Sequence, residues 1–332
     1  MGPWPVGVRT ATVGTLRAEI WYPAAPGSEA GATAVRYDVR EHLPASERGK
    51  IADADNPWQD CDCFADLPLD EPEVPYPVLI FVHGTASFRT QSLPNVVHWA
   101  SRGFVVVAAD HPGLDLRSLL EFACGQGMTP RDLDGDLAAL IAALGAPADD
   151  LAFLAGHVDV SRLGLLGHSA GGGPISTRGD VAKVIVPMAS GGVDPGAALE
   201  HTLVLGATDD AVVDYDDTLA AYEASAGPKT FVGIGGTGHL AFSSLCSLEN
   251  EFGENILEVA QGSGVCGANL AGGLFDCRDE YIPDTTSWRI VDGVTTAILE
   301  DVLHCDDTAL AIFDDLQSVY PDVAEVRTST VP

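Results

Sequence analysis

The sequence predicts an α/β fold, a mostly parallel central sheet with helices on both faces. Three observations carry this expectation. Apolar runs such as Tyr76-Pro77-Val78-Leu79-Ile80-Phe81-Val82 and His201-Thr202-Leu203-Val204-Leu205 read as fully buried strands, and uninterrupted apolar strands belong to parallel sheets covered on both sides. Segments of helical length separate these runs, so strand and helix alternate along the chain. Several of the runs pass directly into glycine-containing turns that carry a serine, an aspartate or a histidine.

Taken in order, residues 10–13 and 16–21 read as a pair of edge strands, followed by a long irregular insert over 24–75. After the strand at 78–82 come a helix (93–102), a strand (104–109), and a helix over 130–144. A strand at 163–166 leads into a glycine-rich turn and a helix that Pro174 should keep short, because proline removes a backbone donor. Strands at 181–187, 201–205 and 229–234 follow, with a helix at 215–224 between the last two. Helices around 288–303 and 307–319 close the chain. At 332 residues, the whole of 1–332 is expected to form one domain.

The chemistry concentrates at Gly167-His168-Ser169-Ala170-Gly171, a G-x-S-x-G motif at a strand-to-helix turn. A serine on so tight a turn sits in strained backbone, and the flanking glycines remove Cβ clashes. Its partners follow in the expected order. His83-Gly84-Thr85 after the strand at 78–82 can supply an oxyanion donor, the N–H of Thr85. The loop Gly206-Ala207-Thr208-Asp209-Asp210 supplies an acid, and Gly235-Gly236-Thr237-Gly238-His239 a base. Ser169, Asp210 and His239 thus run Ser, Asp, His, the chain order of an α/β-hydrolase triad. A serine hydroxyl is a weak nucleophile, so a histidine must take its proton while a carboxylate orients the ring. The N–H groups of Thr85 and Ala170 would hold the tetrahedral oxyanion, and losing one such donor raises the barrier by about 3 kcal/mol. Asp209 is the alternative acid. The acidic run Asp209, Asp210, Asp214, Asp216 and Asp217 lacks the D-x-D-x-D-G order of a calcium loop. The remaining histidines show no metal-ligand spacing, and no phosphate-cradling motif occurs, so neither metal nor cofactor is expected.

Forty-eight acidic residues stand against 17 basic ones, a net charge of −31. That balance argues against nucleic acid or an anionic membrane as partner. No apolar run is long enough to span a bilayer, and Met1-Gly2-Pro3 reads as the start of a mature chain. Seven cysteines point to an oxidised, secreted protein. Cys266–Cys277 and Cys246–Cys305 are the expected bridges, with Cys61 and Cys63 too close in sequence to pair with each other.

The chain resembles the bacterial relatives of plasma platelet-activating factor acetylhydrolase, the dienelactone-hydrolase-like esterases. The resemblance runs through Leu16-Arg17-Ala18-Glu19-Ile20-Trp21-Tyr22-Pro23, His83-Gly84-Thr85-Ala86-Ser87-Phe88-Arg89-Thr90, Gly167-His168-Ser169-Ala170-Gly171-Gly172 and Gly238-His239-Leu240-Ala241-Phe242-Ser243. It implies an α/β-hydrolase fold and ester hydrolysis without a cofactor. The mammalian enzyme takes its acid from the strand after the elbow helix. Here that strand ends Pro187-Met188-Ala189-Ser190, so the acid must come from the next one, as in bacterial cutinases and polyester hydrolases. Ser169 argues against true dienelactone hydrolases, which use cysteine.

The expected function is therefore a secreted serine esterase acting on short-acyl esters through an acyl-enzyme. A small ester, a lipid ester or a polyester would be its partner. A cutinase-like polyester hydrolase and a non-catalytic binding protein on the same scaffold are the alternatives. Phe88, His168, Leu240 and Trp288 are candidates for the substrate pocket, and the cysteine-containing segment 241–287 for one of its walls.

Overall fold

A computed structural model describes residues 1–71 and 73–330. Eleven strands form one sheet: β1 (Val6–Val13), β2 (Leu16–Pro23), β3 (Ala34–Tyr37), β4 (Gln59–Ala65), β5 (Tyr76–Val82), β6 (Val105–Ala109), β7 (Val158–His168), β8 (Val184–Met188), β9 (His201–Ala207), β10 (Lys229–Ile234) and β11 (Val323–Ser329). Their spatial order is β11-β10-β9-β8-β7-β5-β6-β2-β1-β4-β3. From β10 to β6 every neighbouring pair is parallel. The α/β-hydrolase expectation of a mostly parallel centre holds, with antiparallel pairs towards both margins.

Strand side chains alternate between faces, and the two cores divide accordingly. Leu79 and Phe81 of β5 join one buried cluster with Trp99, Ile298 and Leu299, whereas Val78, Ile80 and Val82 join another with Leu137, Leu140 and Ile175. The helices α1 (Leu93–Ser101) and α7 (Asp284–His304) therefore cover one face, and α3 (Leu133–Gly145) and α4 (Gly172–Ser176) the other. Between these lie α2 (Leu116–Ala123), α5 (Tyr215–Ala224) and α6 (Ile256–Gly262), and α8 (Leu316–Val319) precedes the last strand. Helix α4 is only five residues long, and Pro174 falls in its first turn, where the lost N–H would have had no helical partner anyway.

Three expectations about the elements need correction. The strands at 10–13 and 16–21 are not edges, because β4 and β3 continue the sheet beyond β1. Both come from the segment 24–75, which is not wholly irregular. In β4, Gln59, Cys61 and Cys63 point inward while Asp60 and Asp62 are exposed, a period-2 pattern written in residues other than the usual aliphatic ones. The expected helix at 307–319 is a 3₁₀ segment over Asp307–Asp314 followed by α8. It delivers the chain to β11, the far edge strand.

The disulfides also differ from expectation. Cys246 pairs with Cys277, Cys124 with Cys266, and Cys61 with Cys63, leaving Cys305 free and exposed. Residues i and i+2 of a strand share a face, and the Cα atoms of Cys61 and Cys63 stand 5.1 Å apart, within disulfide range. Cys305 ends α7, a helix of 21 residues, and is carried about 30 Å from the helix start. That excludes Cys246, which lies near the other end.

Candidate active site

Because β5, β7, β9 and β10 are parallel, their carboxyl ends share one edge of the sheet. The loops after these four strands carry Thr85, Ser169, Asp210 and His239. Ser169 follows β7 with φ +54°, in the left-handed region. Only a very close approach lets the turn fit: a Cβ at Gly171 would collide with the carbonyl oxygens of Val82 and His83, and one at Gly167 with that of Gly171. The Ser190 hydroxyl donates to the Ser169 carbonyl at 2.7 Å. Ser169, His239, Thr85, His168 and Leu240 all line one cleft.

His239 Nδ1 lies 2.9 Å from Asp210 Oδ2, and the two side chains are 4 % and 1 % exposed. The other carboxylate oxygen of Asp210 accepts the N–H groups of Val212 and Val213, each at 2.8 Å. With both oxygens engaged, the carboxylate is fixed in direction and the Nδ1 proton is committed to it. The ring's Nε2 is left as its second nitrogen. Asp209 is exposed and accepts from the Thr208 hydroxyl, so the structure brings Asp210, not Asp209, to the histidine.

The loop after β5 is braced from several sides. Gln91 Oε1 accepts the Gly84 N–H at 2.9 Å, and Gln91 Nε2 donates to His168 Nδ1 at 3.1 Å. His168 Nε2 then donates to the His239 carbonyl at 2.9 Å. This chain of bonds requires neutral His168, and burial, together with the neighbouring His239, holds its pKa well below the usual value of 6.5. His83, buried beside His111, is lowered to about 3. It receives the His111 N–H on Nε2 and turns Nδ1 towards the Gly84 carbonyl. The Thr85 N–H has no backbone acceptor among the described residues. The Ala170 N–H lies in the first turn of a 3₁₀ start, where intrahelical acceptors are lacking.

Two groups of residues around the site were not singled out from the sequence. Asp276 Oδ2 accepts the N–H of His239 at 2.9 Å and that of Ala211 at 3.2 Å. It ties the base loop to the acid loop, yet nothing in the pattern around Cys277 marks it. Arg89, 1 % exposed, pairs with Glu19 and Asp110. That buried ion pair joins β2 to the loop after β5, the two segments 16–23 and 83–90 that stand out in the sequence.

The pocket candidates separate. His168 and Leu240 border the cleft, while Phe88 stacks on His42 at 4.0 Å and lines an adjoining apolar hollow. Trp288 is elsewhere. Helix α7 turns it towards Leu93 and Pro94 at a separate hollow, and its Nε1 donates to the Ser243 carbonyl. Among the described residues no three His, Cys, Asp or Glu side chains gather to hold a metal.

The comparisons agree with this architecture. Residues 57–115 match the family model of platelet-activating factor acetylhydrolase, isoform II, a stretch that holds β5 and the loop carrying Thr85. No curated protein matches the chain. Among solved structures, ferulic acid esterase from Streptomyces cinnamoneus superposes with a TM-score of 0.62 at 15 % identity, covering 99 % of this chain and 96 % of that one. The chain has the α/β-hydrolase fold. Since 646 solved chains match it, the fold by itself selects no substrate for this hydrolase scaffold.

Proposed function

We propose that the protein is a serine carboxylic ester hydrolase that works through an acyl-enzyme on Ser169. The observation that carries this reading is the 2.9 Å contact between His239 and Asp210, made at the rim of the cleft that Ser169 lines. The partial match to an acetylhydrolase family and the likeness to an esterase of the same fold support it.

In this reading His239 Nε2 takes the Ser169 proton as Oγ attacks the ester carbonyl carbon. The carbonyl π electrons move to oxygen, and the N–H groups of Thr85 and Ala170 hold the oxyanion. As the intermediate collapses, the bond to the alcohol oxygen breaks, and His239 returns its proton to that leaving group. Water then repeats the sequence on the acyl-enzyme, releasing the acid and restoring Ser169. Asp210 stays ionised throughout and stabilises the imidazolium.

Secretion is part of the same proposal. Three disulfides fit an oxidising compartment. Among the described residues no helix is long and apolar enough to cross a membrane. The test is labelling by a fluorophosphonate together with hydrolysis of nitrophenyl acetate. Both should occur in the native chain and vanish in Ser169→Ala. An unlabelled, inactive native protein would leave the scaffold as a binding module.

A further inference from the structure

Beside the cleft lies a second, apolar hollow. The two share Ala86, Leu245, Ala271 and Phe275 in their linings, so the hollow adjoins the cleft that Ser169 lines. Besides Ala86 and Phe88 of the loop after β5, three further stretches of chain line it. Leu43 and Ile51 come from the segment between β3 and β4, Leu120 from α2, and Ile256, Val265 and Phe275 from the segment 246–277.

That last segment is a covalently closed cap. Cys246–Cys277 joins its two ends, and Cys266 within it is pinned to Cys124 at the end of α2. It also interlocks with the opposite wall. Glu47 accepts the Cys266 N–H at 2.6 Å, Lys50 donates to the Gly264 carbonyl at 2.8 Å, and Asn250 donates to the Asp55 carbonyl at 3.2 Å. Cross-links and hydrogen bonds therefore hold the walls of the hollow in place.

Its chemistry is almost wholly apolar. Among the described residues Arg40 is the one charged side chain lining it, and its guanidinium is committed to Asp38, Asp53 and the Ile51 carbonyl. A ligand hydroxyl or carboxylate would find no side chain free to receive it, and burying a polar group unpaired is costly. This disfavours a phenolic acyl group and favours an aliphatic one. A separate, more open hollow that shares no lining residue with the capped one is bordered by Ser169, Ala170, Ser190, Val213 and Asp217. The alcohol must leave before water enters, so the open side suits the alcohol and the capped side suits the arm retained on Ser169.

We propose that the disulfide-pinned cap builds an acyl-binding chamber for a linear aliphatic acyl chain of medium length. The inference rests on the ester-hydrolase reading and replaces short-acyl preference by a preference the cap creates. Each buried methylene should raise kcat/KM about fourfold.

The experiment compares nitrophenyl esters from acetyl to octanoyl, and acetate esters of alcohols from ethanol to octanol. Specificity should climb about fourfold per methylene along the acyl series and stay flat along the alcohol series. Ala260→Phe, which fills the chamber from half-buried α6, should lower the octanoyl value at least tenfold and leave the acetyl value unchanged. The pair Cys124→Ser and Cys266→Ser, which frees the cap, should raise KM for octanoyl esters selectively. A flat acyl series in the native chain, or an octanoyl advantage untouched by Ala260→Phe, overturns the proposal. Calorimetry on Ser169→Ala separates it from the catalytic reading. Methyl octanoate should bind there, and not once Ala260→Phe is added, even if the native protein were to turn over no ester. No binding would overturn the chamber.

Discussion

Asp276 accepts the backbone N–H of His239, and through the same oxygen that of Ala211. One carboxylate outside the proposed triad thus fixes the spacing between the loop that carries the base and the loop that carries the acid. Burial by itself would raise its pKa, but these two N–H groups, the Tyr281 hydroxyl and Arg278 outweigh burial and hold it below 3.8. The contact is therefore fully present above pH 4 and is lost as pH falls through the lowered value. Asp276→Ala should cut kcat by at least about tenfold while Ser169 still reacts with fluorophosphonate, since misplacing a catalytic group by a fraction of an ångström has costs of that order. Equal kcat in the variant and the native chain would remove the positioning role.

The proposed triad makes a graded prediction. Ser169→Ala should abolish ester turnover, whereas Asp210→Asn should retain a trace, reduced by about 10⁴, because the ring loses its fixed tautomer. Asp209→Asn should stay within about twofold of native, in line with ordinary surface changes. Steady-state kinetics on one nitrophenyl ester checks all three, and a large loss at Asp209 would reassign the acid.

Buried histidines make stability depend on acid. His201 opens β9 with its ring partly buried and Nε2 against the Thr230 hydroxyl at 3.1 Å, and the loss of hydration lowers its pKa to about 4. Between that value and the unfolded 6.5 only the unfolded chain takes up the proton, so stability falls as pH drops through this window. Its share is at most about 1.4 kcal/mol per pH unit. In urea unfolding at pH 7 and pH 5, His201→Gln should lose less stability on acidification than the native chain. An identical loss in both proteins would mean that His201 is not kept neutral.

The bridge pattern leaves one thiol. Titration of the denatured, unreduced protein should find one reactive group per chain, and none in Cys305→Ser. Because Cys305 is exposed, the native protein should give the same count. Three or more thiols would show that one of the bridges is absent.

The strands that hold the site were legible because burial on both faces forces unbroken apolar runs, and Ser169, Asp210 and His239 because each sits in a glycine-marked turn beyond such a run. The brace formed by Gln91 and His168 was not. Both are single polar side chains whose roles come from meeting across three loops. Trp288 was misplaced for the same reason, since its spacing on α7 gave no direction relative to a cleft formed by other strands.

By itself, then, the sequence determined the alternation of strand and helix, the left-handed turn at Ser169 and the chain order of the three candidate residues. All of these follow from local sterics and from periodicity along neighbouring residues. Only the tertiary structure decided which aspartate faces His239, which cysteines pair, and that residues 246–277 close over a hollow with the segment between β3 and β4. Those are contacts between residues far apart in the chain, and which of them form depends on how all the elements pack at once.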